Sequence, residues 1–106
     1  MKINADAVVT NLDGEPLHEG KTAKGEPRQL TVGRAIVNAL LADYPNEQAT
    51  GDEKLRRYTL AKKFHAGGEV DVKAESAALI KQLVPRAWAP MVVGPVFEAI
   101  DGQAGE

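Results

Sequence analysis

Two imidazoles, His18 and His65, are the only side chains of this chain whose ordinary pKa lies near neutrality, so they are where acid–base or metal chemistry would start. Neither has the company such chemistry needs. On the helix expected around His65 the carboxylates are Asp52 and Glu53, more than two turns away, and no H-x-H, H-E-x-x-H or D-x-D-x-D-G pattern occurs. His65 reads better as a cation at a helix C-terminus, where exposed carbonyls favour it. Ser76 is the only serine, with no G-x-S-x-G elbow around it and no histidine nearby. Cysteine is absent, which removes thiol nucleophiles, disulfides and zinc–thiolate sites. No spacing singles out a carboxylate pair for general acid–base work, and the glycines form neither G-x-G-x-x-G nor a P-loop. The expectation is a non-enzyme with no catalytic residue, no metal and no cofactor.

Two features look made for contact rather than chemistry. The first is the basic stretch over 52–66, with Lys54, Arg56, Arg57, Lys62, Lys63 and His65. On a helix of about 100° per residue Arg56 and Lys63 fall on one face, while Lys54, Arg57 and Lys62 flank or interrupt the apolar side. The cations therefore do not form one phosphate-gripping stripe. A solvated face is the simpler reading, with Arg56 and Lys63 available to an acidic protein partner. The second feature is Trp88-Ala89-Pro90-Met91, either a hot-spot patch or the closure of an aromatic-poor core; a half-buried Trp88 at an oligomer interface lies between the two.

These residues need elements to hold them. The length of 106 residues suits one domain, residues 1–106, and aromatics are only 5%, so Ala, Val, Leu and Ile must build the core. Thirteen basic against fifteen acidic residues give a net charge of −2, too balanced to argue for nucleic acid from charge alone. The start Met1–Asp6 holds no apolar stretch, and the longest apolar run, Met91 to Phe97, is broken by Gly94-Pro95. A soluble cytoplasmic protein without a membrane partner is expected.

Over 1–17 the composition predicts a β-hairpin, with Ala7-Val8-Val9-Thr10 as strand, Asp13-Gly14 as turn, and Pro16 making the second strand an edge. Residues 18–29 have no apolar periodicity and predict an exposed loop. The helical core spans 30–100. Thr31 caps a helix carrying Val32, Ile36 and Leu40, with Val37 and Leu41 widening its stripe. Thr50 or Asp52 starts a second helix with Leu55, Tyr58, Ala61, Leu60 and Phe64 on its apolar side, stopping at Gly67-Gly68. Glu69–Val72 alternates as a short third strand that pairs with the hairpin. A third helix over about 73–84 ends or bends at Pro85. A fourth from about Pro90 to Ile100 either kinks at Pro95 or starts later. Residues 101–106 form a frayed tail. The fold class is α+β, an N-terminal hairpin packed on three or four helices.

Five segments together resemble a group of small proteins of tailed bacteriophages and prophages. They are Leu30-Thr31-Val32-Gly33, then Glu53-Lys54-Leu55-Arg56-Arg57-Tyr58 with Leu60-Ala61, Glu69-Val70-Asp71-Val72, Ala78-Leu79-Ile80-Lys81 and Pro90-Met91-Val92-Val93-Gly94. The likeness spans about 30–100 and rests on core and cap positions; that group has no assigned activity, so no functional residue follows from it. It implies a protein made during infection or from a prophage, in the host cytoplasm or on the virion. The expected role is binding a protein partner, phage or host, through Arg56, Lys63, Trp88 and Met91, with a homo-oligomer left open. The alternative is a nucleic-acid-binding accessory protein using the basic helix over 52–66.

Overall fold

The computed structural model describes residues 1–105, with side chains through Asp101. The order is β1 (Lys2–Asn4), β2 (His18–Lys21), β3 (Pro27–Gln29), α1 (Val32–Leu41), α2 (Gly51–His65), β4 (Glu69–Asp71), α3 (Ala74–Ala87) and α4 (Pro90–Gly105). Two small antiparallel sheets, β1–β4 and β2–β3, accompany four helices, and the class is α+β. Among the described residues no helix is long and apolar enough to cross a membrane.

Side-chain caps set the starts of the first two helices. Thr31 Oγ1 accepts from Arg34 N–H at 3.2 Å, and Thr50 Oγ1 from Glu53 N–H at 3.1 Å. α1 runs through the middle of the core, burying Val32, Ala35, Ile36, Ala39 and Leu40. Its first turn is crowded: a Cβ on Gly33 would lie 2.7 Å from Ala5 Cβ and 2.9 Å from Ala5 O, so only glycine fits. α3 contributes Ile80, Leu83 and Val84, and α4 contributes Val92, Val96 and Ile100 at four-residue spacing.

The N-terminal region differs from the expected hairpin. β1 pairs with β4, placing Lys2 opposite Asp71 and Ile3 opposite Val70, and residues 7–10 form no named strand. The expected third strand is thus real, and its partner is the start of the chain. The Asp13-Gly14 turn is present, with Gly14 at φ 86° and Asn11 Oδ1 accepting from the N–H groups of Asp13 and Glu15. It closes only a single bridge, Thr10 to Pro16, flanked by the bonds Asn11 N–H to Glu15 O and Leu17 N–H to Val9 O; the Val9 N–H that would extend the ladder donates to Leu30 O instead.

Residues 18–29 are exposed, as expected, but hydrogen-bonded rather than loose. β2 and β3 form a hairpin around Thr22–Glu26, where Thr22 N–H donates to Glu26 O at 2.8 Å and Gly25 sits at φ 81°. With most of its side chains in water, the hairpin leaves no alternation in the sequence to betray it.

The prolines are accommodated. α3 continues past Pro85 to Ala87, with Pro85 itself exposed and the Lys81 carbonyl deprived of its helical donor. α4 starts at Pro90, a favoured first helical position, and keeps Pro95 inside, so no later start occurs. Of the frayed tail expected over 101–106, Asp101 belongs to α4 and pairs with Lys81 at 2.7 Å; the side chains beyond it lie outside the described residues.

Candidate interaction surface

α2 carries most of the surface that sequence marks as interesting, and its rotation decides which residues can meet a partner. Leu60, Ala61 and Phe64 are buried, and so is Arg57, giving an inward row at i, i+3, i+4 and i+7. Leu55 and Tyr58, expected on the apolar side, are instead 61% and 52% exposed. Leu55 precedes Leu60 by five residues, about 140° around the helix, so burying Leu60 and Phe64 turns it outward.

Arg57 is the residue that sequence reading placed at the core edge and the structure places inside. Its guanidinium donates to both carboxylate oxygens of Glu47, at 2.7 and 2.9 Å, in the fork geometry that suits a carboxylate. Arg86 of α3 reaches the same carboxylate at 3.1 Å and lies 4.5 Å from the centre of the Tyr44 ring. Tyr44 in turn donates to the carbonyls of Ala39 and Leu83. The Arg57 hydrogen bond chiefly holds the Glu47 carboxyl below its ordinary range, the same bond raises Arg57, and burial first of all raises the Tyr44 phenol. These four side chains join the α1–α2 connection, α2 and α3, and Tyr44, Glu47 and Arg57 line a small hollow of about 250 Å3 with Asp43 and Lys54.

The other cations of α2 stay outside. Arg56 and Lys63 line one hollow with Leu60, Asp71, Val72, Lys73, Glu75 and Ser76, where the side of α2 meets the start of α3. Sequence spacing had put these two on one face, and the structure brings them to one groove. Asp52, Leu55 and Thr59 extend it along the helix. The hollow is of mixed charge, with Asp71 and Glu75 opposite the cations.

On the opposite flank the surface is apolar. Val37 and Leu41 of α1, with Tyr58, Ala61 and Ala66 of the α2 side, form a trough of about 400 Å3 edged by Lys62 and His65. Leu41 is 54% exposed, and Lys62 Nζ stands 5.1 Å from the centre of the Tyr58 ring. Sequence reading missed this trough. Its signal was the width of the α1 stripe: Val32, Ile36, Val37, Leu40 and Leu41 span more arc than one packed side of a helix covers.

Trp88 and Met91 lie at the α3–α4 corner and do not join Arg56 and Lys63 in either hollow. The Trp88 indole N–H donates to Ala35 O at 2.9 Å, and its ring packs against the core, so Trp88 ties the corner to α1. Met91 is left 39% exposed beside it.

His65 borders a polar cleft of about 420 Å3 with Asp6, Arg28, Thr31, Arg34 and Asn38. The acids near it are engaged: Asp6 accepts the N–H of Gly68 at 3.0 Å, and Glu19 accepts from Asn38 at 2.9 Å and pairs with Arg34 at 3.6 Å. His18 stands exposed on β2, opposite Gln29. Among the described residues no three His, Asp or Glu side chains are grouped to hold a metal ion. Comparison with protein-family models, with curated proteins and with solved structures yields no match.

Proposed function

We propose that this is a non-catalytic protein that works by binding another protein, with the surface around α2 as its contact face. The observation that carries the reading is the exposure of Leu41 and Tyr58, each more than half in water, which line one apolar trough between α1 and α2. Single exposed leucines are ordinary, but large apolar side chains gathered in one trough, with Lys62 at its edge, are the composition of a contact surface. The likeness to phage and prophage proteins adds a context, a partner from the virion or the host. Affinity capture on the tagged full chain from infected or lysogenic cells tests this. A stoichiometric protein partner retained by wild type and lost on changes to the exposed face of α2 is the expected result; no stoichiometric partner removes the reading.

Nucleic acid is the second reading, favoured by Arg56, Lys63 and Lys73 lining one hollow. Asp71 and Glu75 in the same lining weigh against it, since each repels a phosphate. A polarisation titration with labelled duplex DNA over a salt series separates the two. Steeply salt-dependent binding that disappears in Arg56→Glu plus Lys63→Glu would favour nucleic acid.

A further inference from the structure

Between α1 and α2 the chain makes neither helix nor strand, and residues 42–50 are held to the rest of the molecule at two points. Over residues 43–49 Tyr44 is the one buried side chain. Among the described residues the one backbone hydrogen bond of that stretch is Glu47 N–H to Tyr44 O at 3.3 Å. That bond, with Pro45 in second place and Asn46 in third at φ 66°, is the pattern of a type II turn. Such a turn sets its first and fourth residues side by side, and these are the two anchors. Tyr44 donates its hydroxyl proton to the carbonyls of Ala39 and Leu83, and the Glu47 carboxylate accepts from Arg57 and Arg86. Leu40, Leu41, Lys54 and Arg57 close the hollow of about 250 Å3 from the helix side, and Tyr44 and Glu47 close it from above.

From this arrangement we propose that residues 42–50 are a strap, latched by Tyr44 and Glu47, that opens as a unit while the helices stay packed. The core takes Tyr44 alone from the strap, with Ala42 at its edge, so lifting it leaves Ile36, Phe64, Ile80 and Leu83 in their cluster. What opening gives up is local: one ring, the hydrogen bonds to two carbonyls, and the place of a carboxylate between two guanidiniums. What it gains is the backbone freedom of a stretch that holds no ladder. The hollow opens to water as the strap lifts, so Arg57 and Arg86 exchange the carboxylate for solvent and are not left dry. Pro45 and Asn46 are exposed and hold the turn by their own backbone preferences, so its shape does not depend on the core. The two anchors therefore leave and return together. The open form uncovers Leu40 and frees both guanidiniums.

The test is proteolysis of the native full chain by a glutamate-specific endoprotease, with the first cuts identified by mass spectrometry. Cleavage after Glu47 needs its carboxylate out of the two-arginine grip and the strap extended in the protease, so its rate follows the open population. In wild type this cut is expected to be slower than the one after Glu26, in the exposed hairpin turn. Arg86→Gln and Tyr44→Phe, each loosening one anchor, should speed it at least about threefold. Ile100→Val removes one methyl from the core of α4 and should raise the unfolding constant, measured in urea, about threefold to tenfold. It should leave cleavage after Glu47 unchanged, because the closed and open strap forms lose that methyl alike. In wild type the urea dependence of the cut should stay below about half the slope of global unfolding. Acceleration by Ile100→Val in step with its unfolding constant, or the full global slope, would mean that the strap leaves only when the chain unfolds. A cut as fast as that after Glu26, or one unmoved by Arg86→Gln and Tyr44→Phe, would mean that Tyr44 and Glu47 latch nothing. Should Tyr44→Phe fail to fold, Arg86→Gln carries the comparison, since Arg86 is 39% exposed.

Discussion

The two flanks of α2 are drawn from similar residue types and end chemically unlike. Toward α1 the helix offers Tyr58, Ala61, Lys62 and His65 over an aliphatic floor. Toward α3 it offers Arg56 and Lys63 across from Asp71, Lys73, Glu75 and Ser76. Both flanks carry lysine, so composition does not separate them; the neighbour does. On one side a helix lies alongside and contributes Val37 and Leu41. On the other, the turn between β4 and α3 contributes charge. Arg56 and Arg57 show the same division within two adjacent positions. One is exposed and lines a hollow, and the other is buried with Glu47. The cations of a helix act according to what faces them, and counting them as a set misjudges both the core and the surface.

The largest effect expected from breaking this contrast comes from Arg57→Ala. The side chain is 10% exposed and its Glu47 partner 20%, so the change leaves a carboxylate partly out of water with only Arg86 beside it and opens a gap under α2. A loss of about 3 kcal/mol of unfolding free energy is expected, measured by urea denaturation with an unchanged slope. A loss below about 1 kcal/mol would mean that the pair is as weak as a surface salt bridge and that Arg57 is no anchor.

Much of this contrast was beyond the sequence, for reasons that lie in particular residues. The Thr31 cap and the stripe Val32–Ile36–Leu40 were legible, and Thr50 was one of two starts read for α2, because a cap is a local hydrogen bond and a stripe a local period. The seven-residue spacing of Arg56 and Lys63 likewise showed that they share a face. The β1–β4 pairing joins Ile3 to Val70, and three-residue strands hold too little alternation to announce so distant a partner. The β2–β3 hairpin carries no apolar face to be read. Leu55 and Tyr58 looked buried because apolar type is a local property, whereas the rotation of α2 is fixed by Leu60 and Phe64 against α1. The Glu47–Arg57 pair and the trough exist only once α1 and α2 are packed, and no spacing along the chain encodes that.

A second way to sharpen the contrast is acid. Glu47 is held below its ordinary range, first by the hydrogen bond from Arg57, so its ionised form is favoured in the folded state. A carboxyl depressed in this way contributes stability that is complete above its unfolded pKa, about 4.3, and is lost as pH falls through the folded value. Thermal melts of wild type should therefore fall faster below about pH 4.3 than those of Glu47→Gln, which has no proton to take up there. The two melting curves should converge as the pH is lowered. Parallel curves down to the acid limit would show that the pairing does not distinguish the folded from the unfolded carboxyl. Arg56→Ala should leave the acid profile of wild type unchanged, since Arg56 makes no ion pair among the described residues.

The smallest expected effect is the most discriminating. Arg56→Ala and Tyr58→Ser, one on each flank, should each change the unfolding free energy by less than about 0.5 kcal/mol, the ordinary range for exposed positions. Tyr58 is 52% exposed and contributes only a ring face to Lys62, a contact worth about 0.5 kcal/mol when wet. Neither side chain is therefore retained for the stability of the isolated chain, and a contact surface requires that separation: a residue whose removal leaves the fold intact is free to be chosen for what it touches. Should Tyr58→Ser prove as costly as Arg57→Ala, measured side by side in urea, Tyr58 would belong to the core after all. The apolar trough would then be a seam of the fold rather than a place for a partner.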